Sequence, residues 1–292
     1  MDQADRAPLG RPGARVLRDD VHRGKVALVT GGGTGLGRAI ALDLARGGAD
    51  VVVAGRRPEP LAQTVRDIEA LGARAVAVEV DIREEEQVAD MVTRALAVFG
   101  RIDILVNNAG GQFAAPAEDI SVKGWRAVHR LAVEGSWSVT SAVANRAMIP
   151  QRSGVVFFMG FSPRRGIASV VHAASARAAL ENLASGLSME WSRYGIRTLC
   201  IAPGTIETPG MVENYTEEAR AGWAAAVPMG RLGVAEDVSQ VVSFLSTAAA
   251  SYITGATITV DGGVDAWGAG TPAPPVEAAV QDSGVATAGE IR

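Results

Sequence analysis

Residues 31–37 read Gly-Gly-Gly-Thr-Gly-Leu-Gly, directly after the apolar run Val26-Ala27-Leu28-Val29-Thr30 and directly before Arg38-Ala39-Ile40-Ala41-Leu42, which opens a helical pattern. Strand, glycine turn and helix N-terminus in that order build an anion cradle. Glycines let the backbone approach a pyrophosphate, and the first free N–H groups of the helix face it. Gly31, Thr34, Gly35, Leu36 and Gly37 are therefore expected to hold the pyrophosphate of a dinucleotide. The next apolar run ends Val53-Ala54-Gly55-Arg56-Arg57. A carboxylate at that point would bond a ribose 2′-hydroxyl and repel a 2′-phosphate. Arg56 and Arg57, with Arg38 at the turn, instead suit a 2′-phosphate, so NADP(H) is expected over NAD(H).

The cradle needs a scaffold, and the hydrophobic pattern supplies one. Apolar runs near 25–30, 50–55, 74–79, 102–107, 154–159, 196–202 and 256–260 read as strands. Helical patterns occupy 36–48, 59–72, 84–99, 121–150, 173–193 and 235–247. Continuous apolar strands such as Val51-Val52-Val53 suit a parallel sheet covered on both faces. The expected fold is α/β: one Rossmann-type doubly wound parallel sheet of about seven strands, with helices on both faces. It should span 24–263, between a flexible N-terminal arm at 1–23 and a flexible Ala/Gly/Pro/Ser-rich tail at 264–292. Ligands of such sheets lie beyond the carboxyl ends of the strands. That rule adds Asp81, Asn108 to Gly110, Gly160 to Pro163 and Pro203 to Thr208 to the candidate site.

Composition narrows the partners. The chain has 292 residues, 48% of them apolar, enough for one large domain. Its net charge of −4 argues against nucleic acid. The only lysines are Lys25 and Lys123. The single cysteine, Cys200, and the scattered His22, His129 and His172 give no disulfide framework and no expected metal site. No apolar run reaches the ~18 residues of a membrane span. The N-terminus has no signal-like apolar region and Glu290-Ile291-Arg292 is not a peroxisomal address, so a cytoplasmic location is expected.

Thr30 with Gly31-x-x-x-Gly35-x-Gly37, Asn107-Asn108-Ala109-Gly110, Pro203-Gly204-Thr205-Ile206-Glu207-Thr208 and Asp261-Gly262-Gly263 resemble the short-chain dehydrogenase/reductase family over roughly residues 24–263. The resemblance implies that Asp81 and Ile82 meet the adenine and that Asn108, Ala109 and Gly110 border the cofactor. It implies that Pro203, Gly204, Ile206 and Thr208 lie at the nicotinamide end. Most members carry a Tyr-x-x-x-Lys pair with a Ser and an Asn. In this chain Ala173 stands at the Tyr position, Arg177 at the Lys, Ala132 at the Asn, and Gly160 or Phe161 at the Ser. Arg177 can still bind ribose hydroxyls and supply charge, but not serve as a lysine-assisted proton relay.

Asn107 to Phe113, Pro116-Ala117-Glu118, Lys123-Gly124-Trp125, Val171-His172, Ala176-Arg177-Ala178 and Val212 to Tyr215 are similar to peroxisomal trans-2-enoyl-CoA reductases, which also lack the pair. Mitochondrial 2,4-dienoyl-CoA reductases are similar too; their Tyr, Asn and Ser positions fall at Ser162, Glu134 and Ala173. The resemblance implies NADPH-dependent reduction of a conjugated C=C bond in an acyl-CoA thioester, which needs no proton donor at a carbonyl oxygen. Ser162, His172 and Arg177 are the expected catalytic residues, with Ser162 facing the site and polarising the thioester. Glu134 could hold a water, Ser175 could pack or touch ribose, Tyr215 could close a lid, and Arg164 and Arg165 could meet CoA phosphates, each against a plain surface or packing role. A carbonyl or alcohol oxidoreductase with a substituted proton donor, or a catalytically silent NADP(H)-binding subunit, are the competing readings. The family resemblance implies a homotetramer, built through the helices after the fourth and fifth strands, around Trp125 and Ala178-Ala179-Leu180.

Overall fold

The structure, a computed structural model, describes residue 15 and residues 17–164, 166–208, 211–212 and 216–267. Seven parallel strands form one sheet: β1 (Val26–Thr30), β2 (Asp50–Gly55), β3 (Ala75–Glu79), β4 (Ile104–Asn107), β5 (Gly154–Met159), β6 (Ile196–Pro203) and β7 (Thr257–Val260). Their order is β3-β2-β1-β4-β5-β6-β7. The chain builds outward from β1 to β3, then returns to lay β4 on the other side of β1. That reversal opens a crevice at the carboxyl ends of β1 and β4.

Register explains the unbroken apolar runs. Val53, Val29, Val106, Phe157 and Leu199 stand side by side across five strands and face one core. The adjacent row, Val52, Leu28, Leu105 and Val156, faces the other. Both faces of the central strands are buried, so they show no polar alternation, whereas the edge strand β7, Thr-Ile-Thr-Val, is only partly buried and alternates.

One core is covered by α1 (Gly35–Arg46), α2 (Pro58–Ala70) and α9 (Ala235–Leu245). The other is covered by α3 (Glu85–Phe99), α5 (Gly135–Val143) and α7 (Val171–Trp191). The long helix expected over 121–150 is interrupted. α4 (Val122–His129) passes through a π-helical turn at Arg130–Glu134 into α5, and a second at Ala144–Met148 leads to the short α6 (Ile149–Gln151). Among the described residues, helices that the sequence reading left out include α8 (Glu217–Ala225), which has no buried residue, and α10 (Val264–Trp267), which begins where the tail was expected.

The expected N-terminal arm is docked at its end. His22 is buried, its Nε2 lies 2.9 Å from Ser243 Oγ of α9, and its backbone N–H donates to Gly47 O at 2.7 Å. Among the described residues, no helix is long and apolar enough to cross a membrane, and no group of three His, Cys, Asp or Glu could hold a metal.

Candidate active site

A cleft of about 690 Å³ opens at the carboxyl ends of the strands, over the crevice between β1 and β4. Its floor is the glycine turn, and Asn108 fastens it. Asn108 Nδ2 donates to Thr30 O at 3.0 Å and to Gly31 O at 3.3 Å, while Thr30 Oγ1 accepts from the N–H groups of Asn108 and Ala109. Gly37 has no room for a side chain: a Cβ there would collide with Gly31 O and Asn108 Nδ2. Helix α1 can thus press onto the turn only with glycine at this position. Gly35 is the opposite case, with φ +53° and nothing within 4 Å of a Cβ position, so the approach to the helix N-terminus is open. A pyrophosphate-bearing dinucleotide fits this floor in size and in the donors it offers.

Twelve of the residues expected at the cofactor line the cleft. Gly31, Thr34 and Leu36 come from the turn, and Arg56 and Arg57 from the end of β2. Asp81 and Ile82 follow β3, Asn108, Ala109 and Gly110 follow β4, and Arg177 and Thr208 complete the set. Gly35 and Gly37 shape the turn without lining it. Pro203, Gly204 and Ile206 do not line it either. Pro203 O accepts from Ser162 N, Gly204 N–H donates to Val260 O, and the Ile206 side chain is buried in a core, so they brace the segment that carries Thr208.

The arginines divide. Arg38 is spent on α2, pairing with Asp67 at 2.7 Å, so it is not a free phosphate ligand. Arg57 reaches Thr34 Oγ1 at 3.4 Å, and Arg56 is exposed at the mouth. Asp81 is bound by Arg83, whose hydrogen bonds hold its carboxyl down at about 2, against the opposing effect of burial.

The catalytic expectations need correction. The Ser162 hydroxyl donates to Asp261 and its N–H to Pro203 O; the side chain does not line the cleft. A serine has one O–H to give, and this one is taken. Asp261 also accepts from the N–H groups of Gly263 and Asp265, so Ser162 ties the β5 end to the β7 end. Arg164 pairs with Glu181 at 2.8 Å instead of standing free for phosphates. Glu134 is exposed in a separate groove, not behind the site. Arg165 and Tyr215 lie outside the described residues.

Arg177 is the cation at the inner end of the cleft. Its Nη1 donates to Met159 O at 2.6 Å, its guanidinium lies 5.4 Å from the centre of the Phe161 ring, and it forms no ion pair among the described residues. Burial pushes its pKa down from the usual arginine value. His172, at the start of α7, is fully buried with its ring 4.3 Å from that of Phe113. Neither imidazole nitrogen has a protein partner among the described residues, and burial, then the nearby His129, lower its pKa. Ser175 Oγ donates to His172 O, so its oxygen accepts from His129 Nε2 at 3.1 Å; Ser175 links α4 to α7 and is not in the cleft lining.

The positions that the family resemblance gives to the tyrosine and asparagine hold Ala173 and Ala132. Ala132 and Ala173 pack with Val128 and Ala176, with Val133, Phe161 and Val170 against them. The two positions thus fall in one small apolar cluster. Sequence reasoning also passed over Gln112 and Leu131 as cleft residues, and Phe113 as the cover of His172. Gln112 and Phe113 follow the Asn-Asn-Ala-Gly turn directly, and that adjacency was the available signal.

The comparisons with known proteins agree with this geometry. A family model described as enoyl-(acyl carrier protein) reductase matches residues 31–265. A probable 2,4-dienoyl-CoA reductase of Bacillus subtilis (strain 168) is 39% identical over 243 residues, covering 82% of this chain and 96% of that protein. The peroxisomal 2,4-dienoyl-CoA reductase of Danio rerio is 34% identical, covering 86% and 84%. Among solved structures, a short chain dehydrogenase from Bacillus anthracis superposes with a TM-score of 0.75 at 35% identity, covering 82% of this chain and 96% of that one. A citronellol catabolism dehydrogenase of Pseudomonas aeruginosa PAO1 reaches a TM-score of 0.77 at 34% identity, covering 86% and 98%. The chain, with its glycine cradle, its seven parallel strands and these relatives, belongs to the short-chain dehydrogenase/reductase family of oxidoreductases.

Proposed function

We propose that this protein is an NADPH-dependent reductase of the C=C bond of an enoyl- or dienoyl-CoA thioester. The observation that carries the reading is the apolar cluster of Ala132 and Ala173 in place of a proton donor, beside the buried cation of Arg177, which has no ion pair among the described residues. The names of the relatives, 2,4-dienoyl-CoA reductases, support the same substrate class.

A bound nicotinamide dinucleotide would supply the hydride, held by the glycine turn, Asp81, Ile82 and Asn108 to Gly110, with Arg56 and Arg57 on a 2′-phosphate. Addition to a carbonyl would call for a proton at oxygen. Addition to a conjugated carbon instead spreads negative charge onto the thioester oxygen. Arg177 is the fixed positive charge for that oxygen, in a setting from which water is largely excluded and where such charge counts most. His172 lies buried against Phe113 and, like Ser162, outside the cleft lining, so Arg177 alone is assigned to the thioester oxygen.

Stopped-flow NADPH oxidation with enoyl-CoA and dienoyl-CoA panels, with mass analysis of the product, tests the reading. A saturated or singly reduced acyl chain is expected. NADPH binding without turnover across all chain lengths would sink it in favour of a silent subunit. A second reading, carbonyl reduction, draws on His172, whose nitrogens have no protein partner among the described residues, and requires Phe113 to move off its ring, because His172 does not line the cleft. An alcohol product would select it.

The proposal includes a cytoplasmic location and a homotetramer through α4, α5 and α7, with Trp125 of α4 39% exposed. α5 exposes Trp137, and α7 exposes Ala178, Ala179, Ser185 and Gly186, small residues that let helices approach closely; Leu180 is turned into the core. Sedimentation as a monomer would refute the tetramer.

A further inference from the structure

Asp81 is the one carboxylate among the described residues that line the cleft, against the cations Arg56, Arg57 and Arg177. It stands at the same end of the cleft as Arg56. Gly55 is in register with Glu79, and Val80 N–H donates to Gly55 O at 2.9 Å, so Arg56 and Asp81 both follow directly on this ladder. Glu79 itself is exposed and does not line the cleft. A bare carboxylate at Asp81 would act twice against a 2′-phosphate held by Arg56. It would repel the phosphate, and it would compete for the guanidinium.

That carboxylate is not bare. Arg83 N–H donates to Asp81 Oδ1 at 3.1 Å, Nε donates to Oδ1 at 2.8 Å and to Oδ2 at 3.0 Å, and Nη2 donates to Oδ2 as well. Asp81 N–H donates to Gln87 Oε1 at 2.8 Å, so the carboxylate and its own backbone are both fixed. Arg83 is fixed in turn. Its carbonyl accepts from Arg130 Nη2 at 3.2 Å, and the same guanidinium pairs with Glu84 at 3.0 Å, which neutralises the next carboxylate along the chain. Hydrogen bonds from Arg83 are the strongest influence on the Asp81 carboxyl; Arg56 also draws it down, but least. Arg56 is thus within electrostatic reach of Asp81, yet it stays exposed and forms no ion pair among the described residues.

We propose that Arg83 is a positioning residue that sets the preference for NADP(H) over NAD(H): it binds the Asp81 carboxylate as an internal counter-ion and so leaves Arg56 free for the 2′-phosphate. Arg83 does not line the cleft, so it acts only through these two residues. The inference rests on the NADP(H) reading above and adds the group that keeps the phosphate end of the cleft positive.

The test titrates NADPH and NADH calorimetrically into three full-length proteins: the parent, Arg83→Gln, and Arg83→Gln combined with Asp81→Asn. Arg83→Gln releases the carboxylate, so affinity for NADPH should fall about tenfold, the loss of one charge-assisted phosphate contact, while affinity for NADH barely changes. Adding Asp81→Asn removes the charge at nearly constant shape, and the ratio of the two affinities should return to that of the parent. Whatever Asp81 contributes to the adenine is common to both cofactors and cancels in that ratio. A merely structural role for Arg83 would weaken both cofactors alike, and a second substitution would not restore the ratio. An unchanged ratio in Arg83→Gln, an equal loss of both cofactors, or a ratio that stays low in the double variant each overturns the proposal. A parent that binds NADH as tightly as NADPH overturns the NADP(H) reading and the inference with it. A parent that prefers NADPH, and keeps that preference in Arg83→Gln, overturns the inference alone.

Discussion

The guanidinium of Arg177 occupies the space where a side chain on Gly110 would begin: a Cβ built at residue 110 would collide with Nη2. Gly110 ends the Asn-Asn-Ala-Gly turn after β4 and Arg177 sits nearly two turns inside α7, so the two elements meet through a missing methyl group. Gly110→Ala should push the guanidinium off Met159 O and lower kcat/KM by roughly 10- to 100-fold, less than loss of the charge itself. Arg177→Ala should cost roughly 10²–10³ in kcat, the range for removing a preorganised donor to developing negative charge. Steady-state kinetics beside calorimetric NADPH binding separates the two: a large kcat loss with nearly unchanged cofactor affinity assigns Arg177 to the reacting end.

Cofactor choice is tested at the mouth of the cleft. Arg56 and Arg57 are exposed, and neither forms an ion pair among the described residues, so their replacement should leave stability almost untouched. Arg56→Ala with Arg57→Ala should raise the KM for NADPH about tenfold or more while leaving that for NADH nearly constant. Equal effects on both cofactors would mean that the pair does not meet a 2′-phosphate.

What could be read from sequence, and what could not, follows from how far apart the deciding partners lie. The central strands were legible because they are buried on both faces, as at Val51-Val52-Val53, and the glycine turn because its spacing is local. Helix α8 was not, since it buries nothing and so leaves no apolar period. Arg38 looked like a phosphate ligand until Asp67, 29 residues away, took its charge, and Ser162 looked like a donor until Asp261, 99 residues away, took its proton. Sequence gave the residue types at these positions; partners brought in by the fold set their chemistry. The apolar cluster is the converse case. Ala132 and Ala173 were each visible as a missing polar group, but only packing makes them one coordinated replacement.

That replacement predicts the cost of reversing it. Ala173 is 2% exposed and packed against Ala132 and Ala176. Ala173→Tyr reinstates the usual family residue in a space that has been filled, so overpacking should lower stability by about 1–3 kcal/mol. Thermal denaturation beside the unmodified protein reads this as a lower Tm. A variant that keeps the parent Tm would mean that the cluster accommodates the ring, and a gain of carbonyl reduction would mean that a tyrosine hydroxyl at this position reaches a bound carbonyl.

The docked N-terminal segment carries a pH dependence whose sign is fixed by burial. His22 is lowered from 6.5 to about 4, first by desolvation and then by the nearby Arg15 and Lys25, so the fold favours its neutral form. The stability contributed by neutral His22 is complete above the unfolded value near 6.5, declines as pH falls from there, and is lost once pH passes the folded value near 4. At about 1.4 kcal/mol per unit, the full loss is on the order of 3 kcal/mol. Asp43, raised by its own burial, acts with the opposite sign at the acid end, so the comparison must be with a variant and not with the raw profile. His22→Gln keeps a group able to hydrogen-bond Ser243 but removes the titration. Urea unfolding of the two proteins at a series of pH values from 7 down to 4 should show the parent losing stability relative to the variant as the pH falls. Parallel curves would mean that the imidazole is hydrated in solution and that the segment does not hold to α9 through it.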